Sequence, residues 1–175
     1  MGLFLKELQA TDASQGPLAG KHNFYRGGSL SIYNGESQMA IENNKELFDS
    51  GLLSEIWNLA LESEWESEPV WVHGDIAPGN LLVQDGRLCA VIDFGILGTG
   101  DPSCDAAIAW TFFDDTSRKV FKSELNFNEE TWSRARGWAL WKALITYDAY
   151  KDSDTGKAKE AFNTIFTIME EYKRT

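Results

Sequence analysis

The sequence has little cysteine and little histidine, which excludes several kinds of site. Its 175 residues include two cysteines, Cys89 and Cys104, and two histidines, His22 and His73. Two cysteines cannot form the dense disulfide framework of a small secreted protein, so we expect free thiols. With so few sulfur and imidazole ligands, we expect neither a zinc site nor a histidine-rich metal centre.

Long apolar runs are also missing. No stretch approaches the roughly 18 consecutive apolar residues of a transmembrane helix. The N-terminus, MGLFLKELQATDASQG, lacks the basic start and the uninterrupted apolar core of a signal peptide. The sequence therefore predicts no membrane association and a cytoplasmic location.

Basic charge is scarce relative to acidic charge. There are 16 basic and 27 acidic residues, which give a formal net charge of −11. An acidic surface disfavours nucleic acid and anionic membranes as partners. It is compatible with a cationic substrate, although many proteins are acidic for solubility alone.

What the sequence does contain is a set of polar residues in the stretch VHGDIAPGNLLVQDGRLCAVIDFG, residues 72–95. Phosphoryl transfer requires positioning and charge neutralisation more than covalent chemistry. A carboxylate such as Asp75 can orient a hydroxyl group and take its proton. The amide oxygen of Asn80 and the carboxylate of Asp93 are hard oxygen ligands suited to Mg²⁺. The stretch therefore contains a candidate proton acceptor and two candidate Mg²⁺ ligands, although each of these residues taken alone is more often structural.

The residues between these groups predict a β-hairpin. Residues 81–83 and 88–92 are apolar runs, and the Asp-Gly pair at 85–86 between them is a strong signal for a two-residue turn. Pairing of the two strands brings Asn80 at one end close to Asp93 at the other. The sequence therefore predicts that the two candidate metal ligands converge.

The order of these residues is close to that of a kinase. Protein kinases carry H-R-D-x-x-x-x-N in the catalytic loop, followed by D-F-G. Here His73, Gly74 and Asp75 are followed by four residues, Asn80, and then D-F-G at 93–95. With glycine in place of arginine, the pattern resembles the aminoglycoside phosphotransferase family, a small-molecule branch of the kinase-like fold. A protein kinase is disfavoured because of this glycine and because no A-P-E segment follows.

A second segment supports the same resemblance. Residues 98–105, GTGDPSCD, resemble the G-x-G-D-P-x-x-D segment of the family. The resemblance implies that Asp105, at a helix start, supports the catalytic loop by hydrogen bonds. A carboxylate is favoured there by exposed N–H groups. We expect His73 to brace the same loop rather than to take part in the chemistry.

The resemblance implies an ATP-dependent O-phosphotransferase with Mg²⁺, with Asp75 as base and Asn80 and Asp93 as metal ligands. The implied substrate is a hydroxyl of an aminoglycoside-type antibiotic, and kinases of macrolides, choline, homoserine or sugars remain alternatives. In the family, acids of the helical region meet the ammonium groups of the drug. Candidates here, which solvated helix faces would also explain, are Asp148, Asp152, Glu170 and Glu171.

Helical periodicity dominates outside the hairpin, so we predict an α+β, mainly α-helical fold: the C-terminal lobe of a kinase-like protein, a single unit over 1–175. A short strand at 70–72 precedes the catalytic loop. Asn128 is expected to cap a long helix. The other predicted helices cover about 2–12, 36–49, 52–63, 105–113, 115–124 and 155–173.

The marks of a nucleotide-binding lobe are not found upstream of Val72. A kinase places there a glycine-rich strand–turn–strand and a lysine that reaches the phosphates. We therefore expect the N-terminal lobe to be absent, as in a shortened gene product or half of a split enzyme. The surface left uncovered is expected to be partly apolar, so it could pair two copies of the chain. A non-catalytic binding module that retains the fold is the alternative.

Overall fold

The computed structural model describes residues 1–153 and 156–174. In these residues, four short strands lie between three helices on the N-terminal side and five on the C-terminal side, and three single turns of 3₁₀-helix cover Lys21–Asn23, Leu30–Tyr33 and Pro78–Asn80. In chain order the elements are α1 (Gly2–Ala10), α2 (Asn34–Asn43), α3 (Ser50–Leu61), β1 (Val70–Val72), β2 (Leu81–Gln84), β3 (Arg87–Val91), β4 (Gly98–Gly100), α4 (Ser103–Ala106), α5 (Ile108–Thr111), α6 (Asp115–Leu125), α7 (Glu129–Tyr150) and α8 (Gly156–Tyr172).

The long helix α7 lies at the centre of the helical core. Asn128 caps it, since its side-chain oxygen accepts a hydrogen bond from the N–H of Thr131 at 2.9 Å. Helices α2, α3, α4 and α8 all pack against α7. Residues on nearly every side of it are buried, including Trp132, Trp138 and Trp141. A helix enclosed in this way fixes the relative positions of the elements around it.

The predicted hairpin is confirmed. Strands β2 and β3 are antiparallel, and Gln84 pairs with Arg87 across the two-residue turn. Both turn residues have positive φ, 51° at Asp85 and 73° at Gly86, which is the backbone of a type I′ turn. A bulge lies between Leu82 and Val83, and these two side chains are 45% and 63% exposed. The hairpin therefore stands at the surface with its apolar side chains partly in solvent.

A second strand pair places the loop that follows β1. Strand β1, predicted at 70–72, pairs antiparallel with β4, so that Trp71 lies opposite Thr99. The partner strand β4 was not predicted, because the three residues Gly-Thr-Gly carry no strand signal of their own. The pairing brings the residues after β1 beside the segment that begins α4.

Most predicted helices are present, with one interruption. The helix predicted at 105–113 is divided at Ala107 into α4 and α5. The last helix was predicted to begin at Thr155, which lies outside the described residues. Cys89 and Cys104 are free thiols, as predicted. Among the helices that the structure describes, none has the length and apolar content to cross a membrane.

A buried ion pair attaches the segment before α4 to α7. Arg134 Nε lies 2.7 Å from Asp101 Oδ2, and both side chains are 6% exposed. Asp101 also accepts hydrogen bonds from the hydroxyl and the N–H of Ser103, while Arg134 donates to Ser63 and Thr131. Each charge thus has several partners, the condition under which a buried pair is tolerated.

We expect Asp101→Asn to lower the free energy of unfolding by about 3–5 kcal/mol, because it leaves the buried Arg134 without a counter-charge. Urea unfolding followed by tryptophan fluorescence measures the change. Glu42→Gln is the control: its pair with Lys45 is exposed on both sides, and such pairs contribute about 1 kcal/mol or less. Equal losses in the two variants would contradict this expectation.

Candidate active site

Gly74 shapes the loop that follows β1. Its φ is +83°, in the left-handed region that favours glycine. A Cβ at this position would lie 2.9 Å from the carbonyl oxygen of Ile96 and 3.2 Å from the Cβ of Arg26. Both the backbone conformation and the close packing therefore explain why glycine stands where protein kinases carry arginine.

Asp105 binds the loop through its backbone. Its Oδ2 accepts from the N–H of His73 at 2.7 Å, and its Oδ1 accepts from the N–H of Gly74 at 2.8 Å. Asp105 lies in the first turn of α4 and is fully buried. Burial raises the pKa of its carboxyl group to about 6, against the opposing effect of the two N–H donors and of His73 and Arg26. One side chain thus satisfies two buried backbone donors of the loop.

His73 connects the loop to the end of the hairpin. Its Nε2 lies 3.0 Å from the carbonyl oxygen of Ile92, which can only accept, so Nε2 carries the proton. Its Nδ1 then accepts from the N–H of Asp75 at 3.3 Å. The ring also packs against Phe94, with centroids 4.6 Å apart. The buried imidazole is therefore fully engaged in holding the residues before Asp75 and Asp93.

The side chain of Asn80 contacts Asp75 directly. Its Nδ2 donates to the main-chain oxygen of Asp75 at 2.8 Å and to its Oδ2 at 3.0 Å. In the described part of the chain, no donor contacts Asn80 Oδ1 or Asp75 Oδ1. The hydrogen bond from the Asn80 side-chain amide orients Asp75 and leaves one oxygen of each side chain available.

Asp93 lies at the other end of the hairpin. The N–H of Ile92 donates to the carbonyl oxygen of Asn80 at 3.0 Å, so the residue before Asp93 is bonded to Asn80. Asp93 has φ +66°, and its Oδ1 accepts a long bond from the N–H of Gly95 at 3.4 Å. The hairpin thus brings together the ends that carry the two predicted ligands, and Asp93 remains exposed.

The donor set suits a nucleotide-bound Mg²⁺. Protein sites for this ion usually supply one or two carboxylates, and phosphate oxygens and waters complete the octahedron. Asn80 and Asp93 provide two hard oxygens of this kind. No group of three or more His, Cys, Asp or Glu side chains that could hold a metal occurs in residues 1–153 and 156–174.

Asp75 lines a cavity of about 270 Å³ between the loop and helices α7 and α8. Arg26 also lines this cavity. Its guanidinium lies 5.0 Å from the ring centroid of Trp138 and 4.7 Å from that of Trp141. Both tryptophans are buried core residues, and Trp138 also faces the cavity. The cavity is where a hydroxyl substrate could meet Asp75.

The four acids suggested for substrate binding do not line this cavity. Asp148 pairs with Lys151 at 2.7 Å and accepts from Asn43 and Asn44. Asp152 lines a separate surface depression near the end of α7. Glu170 pairs with Lys173. Glu171 pairs with Lys122 at 3.5 Å and accepts from the indole of Trp110.

Three charged residues of the cavity were missed from the sequence: Lys142, Lys157 and Glu160. Lys142 lies four residues after Trp138, and residues at this spacing share a helix face, so the sequence did carry a signal for it. Lys157 and Glu160 reach the cavity only because α8 packs on α7, and the local sequence contains no signal for that contact.

We expect Asp105→Ala to lower the free energy of unfolding by about 2–6 kcal/mol, since two buried N–H groups lose their acceptor at roughly 1–3 kcal/mol each. Urea unfolding at pH 5 measures the loss. Asp114→Ala, which removes an exposed helix cap, serves as control and should cost about 1 kcal/mol. A loss no larger than that of the control would contradict the role of Asp105.

The stability conferred by Asp105 should also depend on pH. Its folded-state pKa, about 6, lies above the ordinary value of 3.8. Between these values the folded chain keeps a proton that the unfolded chain has released, so this stabilisation is complete below about pH 4 and is lost as pH rises toward 6. The difference between the native chain and Asp105→Ala should therefore shrink over this range. The pKa of Asp114 is lowered by the N–H of Ser117, so the stability difference between the native chain and Asp114→Ala should grow as pH rises. Equal pH trends for the two variants would contradict the raised pKa assigned to Asp105.

Two solved structures share this fold. The structure of a gentamicin–APH(2″)-IIa complex is 18% identical in sequence, with a TM-score of 0.51. The alignment covers 94% of this chain and 59% of that structure's chain. The apoenzyme structure of macrolide 2′-phosphotransferase MphH from Brachybacterium faecium is 19% identical in sequence, with a TM-score of 0.53. That alignment covers 94% of this chain and 57% of the MphH chain. The predicted kinase-like fold is confirmed, and the chain spans less than two thirds of either structure.

Comparison at the level of sequence gives the family. No curated protein matches the chain significantly. A sequence model of the phosphotransferase enzyme family, APH, matches residues 1–138. This range contains the loop, the hairpin, Asp105 and most of the core. The predicted resemblance is confirmed, and the protein belongs to the phosphotransferase enzyme family.

Proposed function

We propose that this chain forms the substrate- and metal-binding part of an ATP-dependent small-molecule O-phosphotransferase. The observation that carries the proposal is the bond between the amide of Asn80 and the carboxylate of Asp75, at the hairpin end where Asp93 also lies. A proton acceptor and two metal ligands at one edge are what transfer of a phosphoryl group to a hydroxyl requires.

Asp75 acts on the hydroxyl substrate. Its Oδ2 is held by Asn80, and Oδ1 is available to accept a hydrogen bond from the hydroxyl. As the substrate oxygen forms its bond to the γ-phosphorus of ATP, the bond from that phosphorus to the β–γ bridging oxygen breaks and ADP leaves. The hydroxyl proton passes to the carboxylate of Asp75. Correct placement of Asp75 by Asn80 and His73 provides the orientation on which this step depends.

Asn80 and Asp93 would hold Mg²⁺ at the phosphates. The ion, when bound, neutralises the phosphate charge and stabilises the charge that develops during transfer. The side-chain oxygen of Asn80 that does not bond Asp75 and the exposed carboxylate of Asp93 supply the ligands. Because Asn80 contacts both Asp75 and the proposed metal, it sets the spacing between the substrate hydroxyl and the nucleotide.

We propose further that a nucleotide-binding lobe completes this site, either in the same longer polypeptide or in a separate one. The chain spans only 59% and 57% of the two solved structures that it resembles. Beside the metal ligands, Leu82, Val83, Ile92 and Phe94 expose apolar surface. Such a patch is typical of an interaction surface. Pairing of two copies stays an alternative, which a monomeric mass by light scattering at high concentration would contradict.

Family membership by itself favours an aminoglycoside-type antibiotic as the substrate. One similar structure contains gentamicin and another is a macrolide 2′-phosphotransferase, so both classes belong in a first substrate screen. The charges of the cavity beside Asp75 bear on this choice, as described below.

We expect this chain to bind a non-hydrolysable Mg–ATP analogue weakly but saturably, and Asp93→Asn to abolish that binding. Titration calorimetry measures it directly. Asp85→Asn is the matched control, because Asp85 is also an exposed aspartate of the hairpin with positive φ. Asparagine tolerates that backbone at both positions. Binding that is equal in the two variants would contradict the metal role of Asp93. If the native chain does not bind at all, a non-catalytic module is favoured until a nucleotide lobe restores binding.

With a separately produced nucleotide lobe added, we expect Asp75→Asn to reduce the turnover number by about 10²–10⁴-fold, the usual contribution of a general base. Affinity for the nucleotide should not change, because Asp75 faces the hydroxyl. Release of ADP with the best substrate of the screen measures turnover. A loss of nucleotide affinity that matches the loss of turnover would show that Asp75 is needed for the fold of the site instead.

A further inference from the structure

The cavity beside Asp75 contains more basic than acidic side chains. Among the described residues that line it, Arg26, Lys142 and Lys157 are basic, and Asp75 and Glu160 are acidic. In the proposed reaction Asp75 is assigned to the substrate hydroxyl. Glu160 alone would then remain to meet an ammonium group. This balance is the reverse of the one that a polyamine needs, although the whole chain is strongly acidic.

None of the three basic groups forms an ion pair in the described part of the chain, although the charge of Arg26 acts on the buried carboxyl group of Asp105. Arg26 and Lys142 form no ion pair there, and Lys157 contacts only Tyr150, with Nζ 3.4 Å from the hydroxyl oxygen and 4.8 Å from the ring centroid. The guanidinium of Arg26 is held between Trp138 and Trp141. Stacking fixes its position and leaves its charge in place. The cavity thus presents fixed positive charge.

Two buried N–H donors that belong to residues lining the cavity have no acceptor among the described residues. They are Nε of Arg26 and Nε1 of Trp138, and Trp138 is only 2% exposed. Buried donors without partners are uncommon, since leaving them unpaired costs folding free energy. Both groups can donate only.

Arg26 lies close to the segment that carries Asp75, the residue assigned to the reacting hydroxyl. Its Cβ and Cγ lie against Gly74, where a Cβ would be 3.2 and 3.3 Å away. Gly74 immediately precedes Asp75. A ligand of the size that a cavity of about 270 Å³ admits could therefore contact Arg26 through one group and Asp75 through another.

We propose that this cavity accepts a small hydroxyl compound that carries a carboxylate or a similar anionic group, with Arg26 and Lys142 binding the anion. The assignment of the hydroxyl to Asp75 rests on the proposed function, whereas binding of the anion can be measured without catalysis. Polyamino sugars are then poor ligands of this cavity. The acids suggested from the sequence, Asp148, Asp152, Glu170 and Glu171, lie outside it.

Three sugars of similar size and different charge test the proposal: glucuronate, glucose and glucosamine. Binding to the full chain is measured at constant ionic strength by ligand-observed NMR, with tryptophan fluorescence as a second readout. We expect glucuronate to bind about tenfold or more tightly than glucose, because hydrogen bonds to charged groups are the stronger kind. Glucosamine should bind no more tightly than glucose. Equal affinities, preference for glucosamine, or no saturable binding of glucuronate would overturn the proposal.

Substitutions of single basic residues test whether glucuronate binds in this cavity. Lys142→Gln changes an exposed residue that should not affect folding, and we expect it to weaken glucuronate binding severalfold. Arg26→Gln should weaken it more. Lys119→Gln, an exposed lysine on α6 that does not line the cavity, is the matched control and should have no effect. An effect in Lys119→Gln equal to that in Lys142→Gln would reduce the preference to general surface charge and overturn the proposal.

A nucleotide phosphate is the other anion that could meet these basic groups. We expect saturating Mg–ADP to leave the affinity for glucuronate unchanged, and displacement of glucuronate would assign Arg26 and Lys142 to the nucleotide instead. The proposed function fails separately, through lack of nucleotide binding sensitive to Asp93. Glucuronate binding together with nucleotide binding that Asp93→Asn leaves unchanged would therefore support the anion site while contradicting the metal site of the proposed phosphotransferase.

Discussion

The carboxylate of Asp105 is the contact on which the candidate site depends. It joins the loop after β1 to the start of α4 by accepting two buried N–H bonds. The left-handed backbone of Gly74 allows consecutive N–H groups to reach one carboxylate. Burying this charge is unfavourable, as its raised pKa indicates, and the alternative is two buried donors without an acceptor. The Asp101–Arg134 pair then anchors the same segment to α7, the helix that forms one wall of the cavity.

The hairpin is a different kind of structure, because few of its side chains are buried. Its geometry comes from the type I′ turn and the strand register, both local features. Its open end is connected to the loop after β1 by the bond from His73 to the oxygen of Ile92 and by the bonds from the Asn80 amide to Asp75. The proposed metal ligands are therefore carried by an exposed element and positioned by a buried histidine.

Features encoded by neighbouring residues could be predicted from the sequence. The hairpin, the cap at Asn128 and most helices depend on turn chemistry, capping and periodicity within short windows. The two apolar runs and the turn at 85–86 predicted that Asn80 and Asp93 converge for the same reason. Strand β4, the break at Ala107 and the pairing of Asp101 with Arg134 depend on contacts between distant segments. Helical periodicity could show that Asp148 or Glu170 lies on a helix face, but not which cavity that face lines.

The charge of the cavity illustrates the same limit in electrostatic terms. A net charge of −11 describes the field far from the protein, and salt screens that field beyond about 8 Å at physiological ionic strength. A bound ligand experiences mainly the groups within a few ångströms, and in the cavity these include Arg26, Lys142 and Lys157. An acidic chain can therefore bind an anion when packing gathers its few basic residues on one wall. Arg26 and Lys142 are 116 residues apart in the sequence. The overall composition therefore does not reveal the local positive charge of the cavity, which bears most directly on substrate choice.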